Sequence, residues 1–354
     1  MKERIAVGMS GGVDSSVAAL LLRDAGYDVV GITLSLVPDS VQSGVQDAQA
    51  VAQTLEIEHH VLDLREDFRR FVTEPFMESY LHGQTPNPCV LCNQTIKFGA
   101  MLRFAQTLDA HRIATGHYAK TVRKNGRTLL YRADSRKDQS YFLCMLSQSQ
   151  LSAAVFPLAQ LEKETLRQIA ENKGLPVARK KDSQDVCFIP DNDYVSYICQ
   201  NRGIAPQAGD FVDIHGHVLG QHQGILRYTV GQRKGLGAFG RPMFVTRIDP
   251  VQNRVILGEN GQQYAAALRA DSLNWIAFDT PPSAFDCCVR IRFRAADAPA
   301  RVQIRDGQAL VRFAQPQRSV TPGQTVAFYN GDLVLGGGVI QEALQGEEDD
   351  EETL

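Results

Sequence analysis

The chain has 354 residues, 44% of them hydrophobic and 22% charged, with a formal net charge of −3. This composition excludes a wholly disordered chain, and the length predicts two or three domains. No run of about 18 uncharged apolar residues occurs and MKERIAVGMS lacks the apolar segment of a signal peptide, so the sequence predicts a cytoplasmic protein without membrane contact, its seven cysteines reduced at rest.

From residue 5 to about 145, β-like and helical runs alternate: IAVGMS, SSVAALLLRDAG, DVVGITLSL, VQDAQAVAQTLE, HHVLDL, and later HRIATGHYA at 111–119. Such alternation predicts parallel βαβ units with helices on both faces of one sheet. Between the first strand and helix lies Ser10-Gly11-Gly12-Val13-Asp14-Ser15-Ser16. The unpaired N–H groups and positive dipole of a helix start make an anion site there, and the two glycines let phosphate oxygens approach the main chain. The Gly-Lys-Ser/Thr ending of the common NTP-binding loop is missing, so no lysine of this loop reaches a γ-phosphate. An aspartate beside phosphate is repelled unless it holds a cation or caps the loop, and Asp14 therefore predicts Mg²⁺ close by. A plain glycine turn is the simpler alternative, but a chance match at six specified positions is on the order of 10⁻⁴ or less.

Next comes TPNPCVLCNQTIKFG at 85–99. Pro86 and Pro88 delay a helix until after Cys89, which puts Cys92 on a loop or in a first helical turn, where a thiol's pKa falls. Cys89 and Cys92 form one C-x-x-C pair and zinc needs four ligands; no second pair exists, and His59 and His60 on a predicted strand point to opposite faces. A [4Fe-4S] cluster held by Cys89, Cys92 and Cys187 stays open. Cys187 lies in KKDSQDVCFIPD at 180–191. Apolar-flanked cysteines are most often core residues, a reading that suits Cys144, Cys199, Cys287 and Cys288.

Beyond residue 200 short runs punctuated by Gly and Asn predict a β-rich half: FVDIHGHVLGQH, MFVTRIDPVQNRVILGE, and AFYNGDLVLGGGVI with an Asn330-Gly331 hairpin turn. The expected division is 1–200, 201–265, 266–342 and an acidic, disordered tail at 343–354. Without EEDDEE at 347–352 the chain carries 37 basic and 34 acidic residues, a mildly basic body compatible with nucleic acid. Arg290, Arg292 and Arg294 would share one face of a strand, either a basic ribbon for RNA phosphates or a solvated face, with Phe293 pointing into the core.

These motifs, in order, with GHYA (116–119), KDQSYFL (137–143), TVGQRKGLG (229–237) and LGGGVI (335–340), resemble the tRNA-specific 2-thiouridylases of the PP-loop ATP pyrophosphatase superfamily. The resemblance covers all but the tail. It implies an α/β PP-loop domain of the adenine nucleotide alpha hydrolase type, a small central β-rich domain and a C-terminal antiparallel β-barrel. It also implies ATP-dependent 2-thiolation of the wobble uridine in tRNAs for Lys, Glu and Gln, in a monomer served by a sulfur-relay protein or a cysteine desulfurase. By the same resemblance Cys187 carries a persulfide and Cys92 resolves it, while ATP lies on Gly8, Met9, Ser10, Gly11, Gly12, Val13, Asp14, Ser15, Leu34 and Gly116. Transfer RNA would be met by Asn87, Pro88, Cys89, His117, Lys137, Asp138, Gln139, Arg292, Phe293 and Gln324. His117 reads equally as a structural histidine. Many relatives carry Asp where this chain has Cys89, an Asp considered as general base. Two rivals are a PP-loop ligase adenylating a small molecule, which has no use for two separated cysteines, and a non-catalytic RNA-binding protein, which would release no AMP.

Overall fold

Ile5, Ala6 and Val7 expose no surface in the computed structural model, which describes residues 2–38, 44–180 and 186–346. Burial on both faces makes β1 (Arg4–Gly8) an interior strand of a parallel sheet. β2 (Asp28–Ser35) and β3 (Glu58–Asp63) lie on one side of it; on the other stand β4 (Ile113–Ala114) and, beyond the hairpin β5 (Ala119–Lys124) and β6 (Arg127–Arg132), β7 (Ala154–Val155). The order is β3-β2-β1-β4-β7, all parallel. The chain therefore reverses direction across the sheet between β1 and β4, the crevice where open α/β sheets bind ligands. The predicted strand at 111–119 shrinks to two residues, because Thr115, Gly116 and His117 leave the sheet to line that crevice and Ala119 opens the hairpin.

Helix α1 (Val13–Asp24) follows β1 directly and is buried along most of its length, packing with Leu166 and Ala170 of the helix Lys163–Asn172. Helix α2 (Gly44–Leu55) buries Ala48, Val51, Ala52 and Leu55. A central four-stranded sheet comprises β8 (Gly209–Val212), β9 (Val218–His222), β10 (Phe244–Asp249) and β11 (Arg254–Gly258), in the order β10-β11-β8-β9.

The last unit contains β12 (Tyr264–Trp275), β13 (Ala284–Arg290), β14 (Ala298–Arg305), β15 (Gln308–Arg318), β16 (Thr325–Asn330) and β17 (Leu333–Leu344). Antiparallel pairing in the order β12-β15-β14-β13-β16-β17 is closed by β12 against β17, so six strands make a barrel without open edges. The Asn330-Gly331 hairpin forms as predicted, with Gly331 at φ +57°. The hairpin β5–β6 from the first 200 residues adds to β17, and Ala327, Tyr329 and Val334 share a core with Phe98, Met101 and Tyr141. The barrel is thus seated on the first domain.

Two expectations about its basic segment change. β13 ends at Arg290, so Arg292 and Arg294 do not extend a basic ribbon. Phe293 is not core: it is 37% exposed and stacks on Phe142 with ring centroids 4.4 Å apart. The tail from 347 and residues 181–185 of the second cysteine motif lie outside the described residues.

Candidate active site

One cavity of about 660 Å³, ample for a nucleotide-sized ligand, opens at the carboxyl ends of β1, β2 and β4. Its first wall is the Ser10–Ser16 loop. Ser15 Oγ and Ser16 Oγ both donate to Gly12 O, and no side chain caps α1, so the first-turn N–H groups remain turned to the cavity as an anion site. Gly11 sits at φ +69°, and a β-carbon there would lie 2.2 Å from Gly44 O; only glycine fits. Gly8, Met9, Ser10, Gly12, Val13, Asp14 and Ser15 line the cavity, joined by Leu34 and Gly116 as the motif implies. Gly11 stands behind them, its carbonyl accepting from Lys180 Nζ at 3.1 Å.

The cation expected beside Asp14 is a side chain. Lys163 Nζ, almost fully buried, donates to Asp14 Oδ1, which also accepts from the Tyr118 hydroxyl at 3.1 Å. Lys180 reaches the opposite flank of the loop, held by Asp47. Both lysines line the cavity, so the loop lacks a lysine in sequence but not in space. One carboxylate already held by two donors does not make a magnesium site of protein groups alone, so the Mg²⁺ expectation rests on a bound nucleotide bringing the ion.

The second wall carries sulfur. Pro88–Leu91 forms one helical turn that runs into a wider helix, Cys92–Met101. Gln324 braces the preceding loop from the barrel, its Nε2 donating to Thr85 O at 2.8 Å and to Pro86 O at 3.3 Å. Cys187 arrives from a distant segment held by Phe188, whose ring packs on Phe68, Phe76 and Tyr197 at 5.3–5.5 Å. The result places Cys89, Cys92 and Cys187 on the same cavity, with Cys89 and Cys187 exposed to it and Cys92 buried.

Helix position does not lower the Cys92 pKa, as the sequence suggests it would. Burial dominates and pushes that thiol up to about 12, and desolvation of the sulfurs by the cavity walls raises Cys89 and Cys187 as well, although both residues reach the surface. The counterforce is Lys97, whose ammonium favours the thiolate of all three. Sequence reading passed over this residue because nothing at position 97 announces that its side chain returns to the cysteines. Lys97→Met keeps the bulk and removes the charge. At about pH 8 it will slow iodoacetamide alkylation of Cys187 by about threefold or more and move the pH–rate profile to higher pH, since less thiolate survives burial. An unchanged profile would deny the ammonium this role.

Among the described residues no group of three or more His, Cys, Asp or Glu is placed to hold a metal ion. The [4Fe-4S] reading of Cys89, Cys92 and Cys187 therefore has no support in the donor geometry.

Other residues implied for tRNA divide by position. Pro88, Cys89, His117, Lys137 and Gln139 line the cavity. His117 is half-buried and its pKa is driven well below the usual value, first by desolvation and then by Lys97; its Nδ1 lies 2.7 Å from Thr115 Oγ1. Asn87, Asp138, Arg292, Phe293 and Gln324 lie outside the cavity lining. Asn87 hydrogen-bonds the Tyr141 side chain. Asp138 folds its own loop, accepting from the N–H groups of Ala133 and Ser140 at 3.1 Å. Arg292 Nη2 donates to Val230 O at 3.1 Å and to Ser319 O and Thr321 Oγ1, tying the central sheet to the barrel.

Comparison with known proteins agrees along the chain. The family described as tRNA methyl transferase HUP domain matches residues 3–191, tRNA methyl transferase PRC-barrel domain matches 197–259, and Aminomethyltransferase beta-barrel domain matches 265–340. The tRNA-specific 2-thiouridylase MnmA of Desulfitobacterium hafniense (strain Y51) is 46% identical over 363 residues, spanning 96% of this chain and 98% of its own. The chain belongs to the tRNA-specific 2-thiouridylase family. Members from Pelobacter propionicus (46% identical; 97% of this chain, 98% of theirs) and Clostridium botulinum (strain Alaska E43 / Type E3; 44%, 96% and 98%) match over the same extent. The family resemblance carried by the sequence motifs is thereby established, and with it a parallel-sheet nucleotide domain followed by β-rich units. Among the described residues no helix is long and apolar enough to cross a membrane.

Proposed function

We propose that this protein replaces the C2 oxygen of the tRNA wobble uridine with sulfur, at the expense of ATP, in tRNAs for Lys, Glu and Gln. One observation carries the reading: Cys92 and Cys187, 95 positions apart in sequence, line the cavity that also holds the phosphate loop. Uridine C2 is a poor electrophile and its oxygen a poor leaving group. Attack of that oxygen on the α-phosphorus of ATP, bound as its magnesium complex, expels pyrophosphate and leaves C2 bearing AMP. Loop N–H groups, Lys163 and Lys180 face the phosphates as their charge redistributes.

Cys187, loaded by a persulfide donor, then attacks C2 with its outer sulfur, and AMP departs. The Cys92 thiolate attacks the inner sulfur of Cys187. That S–S bond breaks with its electron pair going to the sulfur on C2, which becomes the thiocarbonyl, and a Cys92–Cys187 disulfide remains for reduction. Exposure of Cys187 suits loading from a relay protein or a cysteine desulfurase, and burial of Cys92 keeps the resolving thiol from reacting elsewhere. The tRNA would lie over Asn87, Pro88, Cys89, His117, Lys137 and Gln139, with a base on the Phe293–Phe142 shelf, while Asp138, Arg292 and Gln324 act through the segments they brace. This reading takes the protein as a cytoplasmic monomer.

Incubation of unmodified tRNA with the protein, ATP and a persulfide donor, followed by nuclease digestion and mass spectrometry, should show oxygen-to-sulfur exchange at the wobble uridine and one AMP released per exchange. AMP release that ignores tRNA, with no thiolated nucleoside, would instead favour a small-molecule ligase.

A further inference from the structure

Cys89 has no part in the sulfur transfer above, yet it stands three residues before Cys92 where the turn Pro88–Leu91 enters the helix Cys92–Met101, and it lines the same cavity. Side chains at i and i+3 of a helix share a face with Cβ atoms about 5–6 Å apart, so a small adjustment of one turn reaches the ~3.5–4.5 Å that a disulfide requires. Exposure separates the pair: Cys92 is buried and Cys89 is open.

We propose that Cys89 is a second resolving thiol, which moves the disulfide left by each turnover from Cys92–Cys187 to Cys89–Cys92 and so frees Cys187 for its next sulfur. The inference rests on the reading above that sulfur transfer ends in a Cys92–Cys187 disulfide. In the exchange Cys89 loses its proton to water and its thiolate attacks Cys92 Sγ. The Cys89–Cys92 bond forms as the Cys92–Cys187 bond breaks, and the electron pair departs on Cys187 Sγ, which takes up a proton. Nothing is oxidised or reduced overall. An external protein dithiol then reduces the Cys89–Cys92 disulfide and is itself converted to a disulfide.

Two features favour this direction. Cys187 is the exposed member of the first disulfide, so it accommodates the departing negative charge better than buried Cys92. Cys89 is already beside Cys92, and an intramolecular thiol acts at an effective concentration far above that of a colliding reductant. Until the exchange occurs, the sulfur-accepting position is blocked; afterwards loading and reduction proceed at different cysteines.

The test uses the full chain in a single turnover with tRNA, ATP and a persulfide donor, quenched in acid, alkylated and mapped for disulfides by peptide mass spectrometry. A Cys89–Cys92 disulfide should rise in step with thiolated tRNA while Cys187 is recovered alkylated. In Cys89→Ser, and equally in Cys89→Asp, the oxidation should sit at Cys92–Cys187. With a thioredoxin-type protein as the only reductant, their repeated turnover should fall about tenfold or more relative to their own first turnover. Because the readout is the position of the disulfide per product formed, weaker tRNA binding by a variant does not blur it. Wild-type protein whose oxidation stays at Cys92–Cys187 overturns the relay and leaves the parent reading standing. Product formation without any disulfide overturns both.

Discussion

Replacing Cys187 by serine will lower 2-thiouridine formation by at least about 10³-fold while tRNA-dependent AMP formation persists. Serine preserves the size of the side chain, and Phe188, which fixes the segment, keeps its packing on Phe68, Phe76 and Tyr197, so the variant should fold. A hydroxyl cannot carry a persulfide, and Cys92 is buried away from a sulfur donor. In the proposed reaction adenylation draws on the phosphate loop and its lysines, which the substitution leaves untouched. Cys92→Ser should fail later, with the base joined to Cys187 through an unresolved S–S bond and released by added dithiothreitol. Radiolabelled ATP hydrolysis measured beside nucleoside mass spectrometry separates these stages. Thiolation at an undiminished rate in Cys187→Ser would remove the two-cysteine mechanism altogether.

The sequence exposes those parts of the molecule that local rules govern. Alternating apolar runs give the strands and helices of the sheet because periodicity follows from burial, and Asn330-Gly331 gives a hairpin because the turn needs a left-handed residue. The phosphate loop is legible for the same reason: the left-handed φ of +69° at Gly11 is a demand of the local backbone, although the close approach of Gly44 that also excludes a side chain there is not. What escapes is what folding brings from afar. Lys163 is 149 positions from the Asp14 carboxylate it holds, and Lys180 is 169 from the Gly11 carbonyl it binds, so the loop's missing lysine could not be found by inspecting the loop. The thiol of Cys92 follows the same logic. Its place at a helical turn is readable, but the burial that outweighs the dipole is a property of the aromatic cluster packed around it. Phe293 looks like core by the period of two, and that period lapses where β13 stops at Arg290. Arg292 shows the cost of reading a charge without its neighbours: a guanidinium expected to face phosphates donates instead to two main-chain carbonyls and a threonine hydroxyl.

Gly116→Ala will disable adenylation, because position 116 is where β4 hands the chain across the mouth of the phosphate loop. A β-carbon at Gly116 would stand 2.8 Å from Ser15 N and 2.9 Å from the Asp14 carbonyl carbon. Both are backbone atoms of the first turn of α1, not the yielding ends of side chains. That turn is fixed from several directions: Ser10 N and Ser16 N bond across it, Lys163 and Tyr118 grip Asp14, and Val13, Val17 and Leu20 are buried behind it. The methyl group must therefore push β4's exit or the loop itself by several tenths of an ångström, and either movement displaces the N–H groups meant for phosphate. Overpacking of this kind costs about 1–3 kcal/mol of stability, and misplacing reacting groups by a distance of that order costs about 10²-fold in rate. The expected result is tRNA-dependent AMP release reduced by about 10²-fold, with a lower melting temperature that ATP no longer raises. Gly220→Ala is the matched control: its β-carbon would meet only Phe239 Cε1 at 3.9 Å, in a strand far from the cavity, and AMP release should stay within about twofold of wild type. Should Gly116→Ala release AMP at the wild-type rate, the triphosphate does not occupy the crevice between β1 and β4, and the chemistry assigned to it would have to be sited elsewhere.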